Sequence, residues 1–232
     1  TVRSYYTPLS GNNTTGDMNF TVNGGTLTAQ NGPAIYMPGQ VNLTITGGTL
    51  NGGVSLRMGQ VSISGGTINA ITSGIDMPGE IVAGTSTPGY AYSGNVWFPD
   101  ALYVIGGTYT SKNEPYGNSL KLDITGGTFI CDNDKGSAVA VYDMGKVQQG
   151  MEINISGGTF TNKATDRDAY QVITLKDIIG DATPATGYGV TTADIDTTIT
   201  GGTYSTEPNV NYIPEDYGTG ETDAGTWVVA QA

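Results

Sequence analysis

Val41-Asn42-Leu43-Thr44-Ile45-Thr46-Gly47-Gly48-Thr49-Leu50 is the stretch that decides how this chain folds. Val41, Leu43 and Ile45 alternate with Asn42, Thr44 and Thr46, which is the period of a strand with one buried face. A glycine pair then interrupts the strand, and an apolar residue follows Thr49. The unit recurs, because Gly-Gly-Thr occurs seven times, with its first glycine at Gly24, Gly47, Gly65, Gly106, Gly126, Gly157 and Gly201. Two residues before each copy stand Val22, Ile45, Ile63, Val104, Ile124, Ile155 and Ile199; between these and a second apolar column lie Thr21, Thr44, Ser62, Tyr103, Asp123, Asn154 and Thr198. After each copy comes Leu27, Leu50, Ile68, Tyr109, Phe129, Phe160 or Tyr204. The glycines mark a bend between two strands, where a Cβ would obstruct the close approach of stacked backbones.

The spacings between copies are 23, 18, 41, 20, 31 and 44 residues. Taking 41 and 44 as double steps leaves a period of roughly 18–23 residues, the signature of a solenoid. A second signal lies between the copies, in Met37-Pro38-Gly39, Met58-Gly59, Met77-Pro78-Gly79 and Met144-Gly145, each after a short strand pattern and each with turn chemistry. Three strands and three corners per turn predict an all-β, parallel β-helix of about nine coils with two irregular insertions. On a rise of about 4.8 Å per coil, the eight steps from Gly24 to Gly201 would span roughly 40 Å. The expected organisation is an N-terminal cap over 1–17, the β-helix over 18–204 and a C-terminal cap or tail over 205–232. The insertions fall at 84–100 and 161–196.

Composition narrows the function. Thirty-six of 232 residues are glycine and only 13% are charged, so backbone geometry dominates the design. A net charge of −12 repels nucleic-acid phosphates and anionic membranes. The absence of histidine removes imidazole acid/base chemistry, Ser-His-Asp triads and His metal sites. A single cysteine, Cys131, cannot form an intrachain disulfide and reads as an inert thiol. No apolar run approaches 18 residues and the first residues lack a signal-peptide layout, so no membrane insertion is expected.

Three groups of side chains are candidates for chemistry. Lys121, Asp123 and Glu152 fall at outward strand positions of neighbouring coils, a paired-carboxylate arrangement with a base beside it. Their plainer reading is a solvated, charge-balanced strand face. Asp132, Asp134 and Asp143 surround the turn after Phe129 and could hold Ca²⁺ through oxygens, as could Asp166 and Asp168 around Arg167; neither group matches a known calcium loop. Tyr90, Tyr92, Trp97 and Phe98 in the first insertion could stack on sugar rings, or fold back as an apolar flap. Arg57 and Asp76 are expected to form a surface ion pair one coil apart.

The repeated Ile-x-Ile-Ser/Thr-Gly-Gly-Thr-Phe/Tyr resembles the pectate-lyase-like, right-handed β-helix repeats of large surface proteins of gut Firmicutes and of virion-associated proteins of their phages. The closing Gly201-Gly202-Thr203-Tyr204 with Tyr212, Tyr217 and Trp227 looks like the short tail that ends such arrays. A near-complete repeat, no histidine and no dense ionisable cluster lead to the expectation of a non-enzymatic structural or adhesive module on a bacterial surface or virion, extracellular, with a glycan or surface partner, no cofactor apart from the Ca²⁺ considered above, and a trimer if virion-associated. A polysaccharide lyase or glycoside hydrolase working in a groove along the helix is the alternative, and a phage decoration or fibre protein is another.

Overall fold

The computed structural model describes residues 1–11, 18–70, 99–106, 120–143, 151–167, 170–177 and 195–232. Over them the protein is all-β with a parallel-dominated sheet, an architecture compatible with a β-helix or other solenoid. The chain opens with β1 (Val2–Ser4), β2 (Leu9–Ser10), β3 (Met18–Val22) and β4 (Thr26–Ala29). Next come β5 (Ile35–Ile45), β6 (Thr49–Gly52), β7 (Val54–Ile63) and β8 (Thr67–Ala70). They are followed by β9 (Leu102–Gly106), β10 (Leu120–Cys131), β11 (Val139–Asp143), β12 (Met151–Asn162) and β13 (Ile173–Asp177). The last are β14 (Ile195–Ile199), β15 (Thr203–Tyr204), β16 (Tyr217–Glu221) and β17 (Trp227–Gln231), with one 3-10 turn at Val210–Tyr212. Among the described residues no helix is long and apolar enough to cross a membrane.

The strands stack as three parallel ladders. The approach ladder, which runs into the glycine pairs, sets β3, 41–45, 59–63, 120–124, 151–155 and β14 side by side. The exit ladder, which leaves them, joins β1, β4, β6, β8, the last parts of β10 and β12, and β15. The third ladder joins β2, the first parts of β5 and β7, β9, β11 and β13. Like residues therefore stack on like. Ile45, Ile63, Ile124, Ile155 and Ile199 are fully buried in one column, and Leu50, Ile68, Phe129, Phe160 and Tyr204 in another. At the C-terminal end the aromatic rings lie nearly parallel, with centroids 4.9 Å apart for Phe129–Phe160 and 5.0 Å for Phe160–Tyr204. Burial between neighbouring rungs, which no rung achieves alone, supplies the stability.

The glycine pair has two distinct tasks. From the Gly47 pair onward, a Cβ on the first glycine would press into the backbone of the rung before it; at Gly126 it would meet the Ser64 carbonyl oxygen at 2.5 Å. The second adopts a left-handed backbone, with φ of +96° at Gly127, a region that an L side chain enters only with strain. The predicted Pro-Gly corner is milder than a turn. β5 runs through Pro38 and Gly39 with a register shift between Met37 and Gln40, so a bulge joins two ladders within one strand.

The register corrects the coil count. Thr128 N donates to Gly66 O, and a Cβ on Gly126 would abut Ser64, so Gly126 sits directly above Gly65. Likewise β14 and β15 pair directly with β12, which makes the 44-residue spacing a single step. Six glycine pairs, starting at Gly24, Gly47, Gly65, Gly126, Gly157 and Gly201, thus mark successive rungs, five steps or about 24 Å of rise. The roughly 40 Å column of about nine coils overcounts them. The Gly106 copy is the misread one, since β9 lies between β7 and β11 in the third ladder, with Tyr103 opposite Ser55 and Ala140. Outward positions there are covered, so Tyr103, Ser55 and Ala140 are buried. Leu102-Tyr103-Val104-Ile105 has the apolar run of a strand buried on both faces.

The two ends differ. Residues 2–4 and 9–10 join the parallel ladders as a partial first rung. At the other end β17 pairs antiparallel with both β15 and β16, which closes the exit-ladder edge of the last rung.

Candidate functional site

The outward face of the approach ladder carries two polar columns. One runs Asn19, Asn42, Gln60, Lys121, Glu152, Asp196, and the other Thr21, Thr44, Ser62, Asp123, Asn154, Thr198. Ala101 and Tyr103, which the repeat alone would assign here, belong to the third ladder. The first three rungs are neutral, and the first two are tied together, Asn42 Nδ2 donating to Asn19 Oδ1 and Thr46 Oγ1 to Asn23 Oδ1, both at 2.9 Å. The next three carry the charges.

The structure brings Lys121, Asp123 and Glu152 together. Lys121 is registered against Glu152, and Asp123 against Asn154, on adjacent strands. Lys121 Nζ lies 2.9 Å from Glu152 Oε1. Asn154 Nδ2 donates to Asp123 Oδ1 at 2.9 Å and to Glu152 Oε1 at 2.7 Å, so the two carboxylates are close enough for the about 5–5.5 Å separation of a retaining glycosidase. The hydrogen bond from Lys121, then that from Asn154, holds the Glu152 carboxyl below its usual range, which suits an ionised carboxylate but not the raised general acid that a glycosidase also needs. The hydrogen bond to Glu152, with Asp123 nearby, raises Lys121, the wrong direction for a base. The group is a hydrogen-bonded network on an open strand face, with one cation to two carboxylates.

The remaining sequence-derived candidates divide. Tyr90, Tyr92, Trp97 and Phe98 lie outside the described residues, as do Asp76 and Asp168. Asp132 is paired to Lys163 Nζ at 2.9 Å, Asp134 lies in the same corner, and Asp143 ends β11 in the third ladder. Among the described residues no group of three His, Cys, Asp or Glu side chains is placed to hold a metal ion. Arg167 Nη1 donates to the buried Asn162 Oδ1 at 2.9 Å, holding the corner after β12. Arg57 is buried on the third ladder, so it is not the exposed half of a surface pair that its phase predicts. Cys131 is buried, its Sγ 3.1 Å from the Pro99 carbonyl oxygen, and burial pushes the thiol up to about 12.

Sequence reasoning missed a groove on the exit ladder. Its floor is the column Thr28, Asn51, Asn69 and Ile130, in register on successive rungs, and its wall is the following corner with Gln30, Asn31 and Asp132. It holds about 630 Å³. Asn69 Nδ2 donates to Asn51 Oδ1 at 2.8 Å, and Asn51 Nδ2 to Thr28 Oγ1 at 3.2 Å. Ala29, Gly52 and Ala70 complete the lining at the corner. The signal was present, since Thr28, Asn51 and Asn69 each stand two residues after the repeat threonine. What the repeat does not reveal is that the next corner rises beside them.

No protein-family model matches the chain, and no curated protein or solved structure matches it.

Proposed function

We propose that the chain is a right-handed parallel β-helix serving as a non-enzymatic structural and adhesive module, exposed outside a bacterial cell or on a virion and contacting glycans. The observation that carries the reading is the network that ties Lys121 to Glu152 and Asn154 to both Asp123 and Glu152, with the Glu152 carboxyl held below the range of a general acid. The hydrogen-bonded amides and hydroxyl on the first two rungs offer a contact surface instead. The resemblance of the repeats to gut Firmicutes and phage surface proteins supports the exterior location, and no cofactor is required.

Incubation with a panel of plant and host polysaccharides tests the reading. No reducing sugar or unsaturated product should appear with the wild-type protein. Turnover that Glu152→Gln abolishes would replace the adhesive module with a glycoside hydrolase or lyase.

A further inference from the structure

We infer that the exit-ladder groove is a binding site for an extended, uncharged polysaccharide lying along the stack; this rests on the glycan-contact reading above and assigns it a place. The floor fits hydroxyl-rich ligands. In the chain Asn69 to Asn51 to Thr28 each amide Nδ2 uses one of its two hydrogens on its neighbour, which leaves the second hydrogen, and the Asn69 oxygen, to face a ligand. A carboxamide offers a donor and an acceptor side by side, as neighbouring sugar hydroxyls do. The bonds along the column fix the amide orientations before a ligand arrives, so little rotamer entropy is lost on binding.

The rest of the lining selects the class of polymer. Gln30 and Asn31 add two more carboxamides on the wall, and half-buried Ile130 ends the column with an apolar surface for the C–H face of a sugar ring. No lysine or arginine lines the groove, and its carboxylate, Asp132, is already paired with Lys163. With a net charge of −12 on the protein, a polyuronate or sulfated glycan would be repelled. Donors and acceptors repeat at the rung spacing of about 4.8 Å, which suits a chain more than a single sugar.

Affinity electrophoresis of the full chain in gels containing soluble β-glucan, xyloglucan, galactomannan or polygalacturonate tests this. At least one neutral polymer should retard the wild type, and Asn51→Ala/Asn69→Ala should weaken that binding tenfold or more. Gln30→Ala, at an exposed corner position where folding is safe, should weaken it several-fold, while Thr219→Ala on β16, outside the groove lining, should leave it unchanged. Retardation that survives the groove variants, or that occurs with polygalacturonate alone, overturns the groove and leaves the adhesive reading standing. No retardation by any neutral polymer overturns the groove as well. Cleavage of a polymer dependent on Glu152 would instead overturn the adhesive reading itself.

Discussion

Cys131 shows how one buried side chain sets a property of the fold. Its thiol is enclosed where β10 ends, 3.1 Å from the Pro99 carbonyl oxygen, and a Cβ on Gly136 would touch its sulfur. Burial disfavours the thiolate and raises the titration from 9.0 to about 12. The neutral form is favoured in the folded chain, so its stabilising contribution is complete below pH 9.0 and is lost as pH climbs from 9.0 towards about 12. The loss is on the order of 4 kcal/mol across that window. Urea melts from pH 8 to 12 should show this decline, and Cys131→Ala should flatten it; an unchanged slope in the variant would refute the assignment. The thiol's inertness was legible from its isolation in the sequence. The glycine pairs were equally legible, because the repeat places Gly126 and Gly127 where only a missing Cβ suffices.

Among the elements, the exit ladder concentrates the largest side chains. Phe129, Phe160 and Tyr204 are fully buried, and Phe160 stacks on Phe129 at 4.9 Å and on Tyr204 at 5.0 Å, so the middle ring contacts both neighbours. Phe160→Ala should lower unfolding free energy by about 3–5 kcal/mol, measured by chemical denaturation, with the far-UV strand signal retained. A loss under 1 kcal/mol would mean that the rungs do not stack as described. The third ladder is where local pattern misleads. Leu102-Tyr103-Val104-Ile105-Gly106-Gly107 resembles an approach strand, yet it pairs beside Val54–Leu56 and Val139–Val141. Its unbroken apolar run was the discriminating signal, since a covered strand has no need of polar alternation. For the candidate site, the repeat phase placed Lys121 against Glu152. It could not reveal that Asn154 bridges Asp123 and Glu152, because two side-chain torsions decide that bond.

For the whole molecule, the asymmetry of the ends has the clearest consequence. β17 covers the exit-ladder edge of the last rung by antiparallel pairing, with Trp227 opposite Tyr204 and Val228 opposite Thr203. Truncation after Ser205 would leave that edge open and expose Tyr204, so the shortened protein should self-associate. Light scattering at rising concentration would detect it, and a truncated chain that stays as dispersed as the full one would refute the capping role. The sequence by itself determined the all-β class, the alternation, the buried columns and the glycine corners, because strand period and backbone sterics act over a few residues. Tertiary structure decided which copies are neighbours. It put Gly126 directly above Gly65, 61 positions away in the chain, moved β9 into another ladder, and raised a corner beside Asn51 and Asn69 to make a groove. The physical reason is that parallel pairing joins strands by contact in space, and a similar local pattern satisfies more than one partner until the whole stack is assembled.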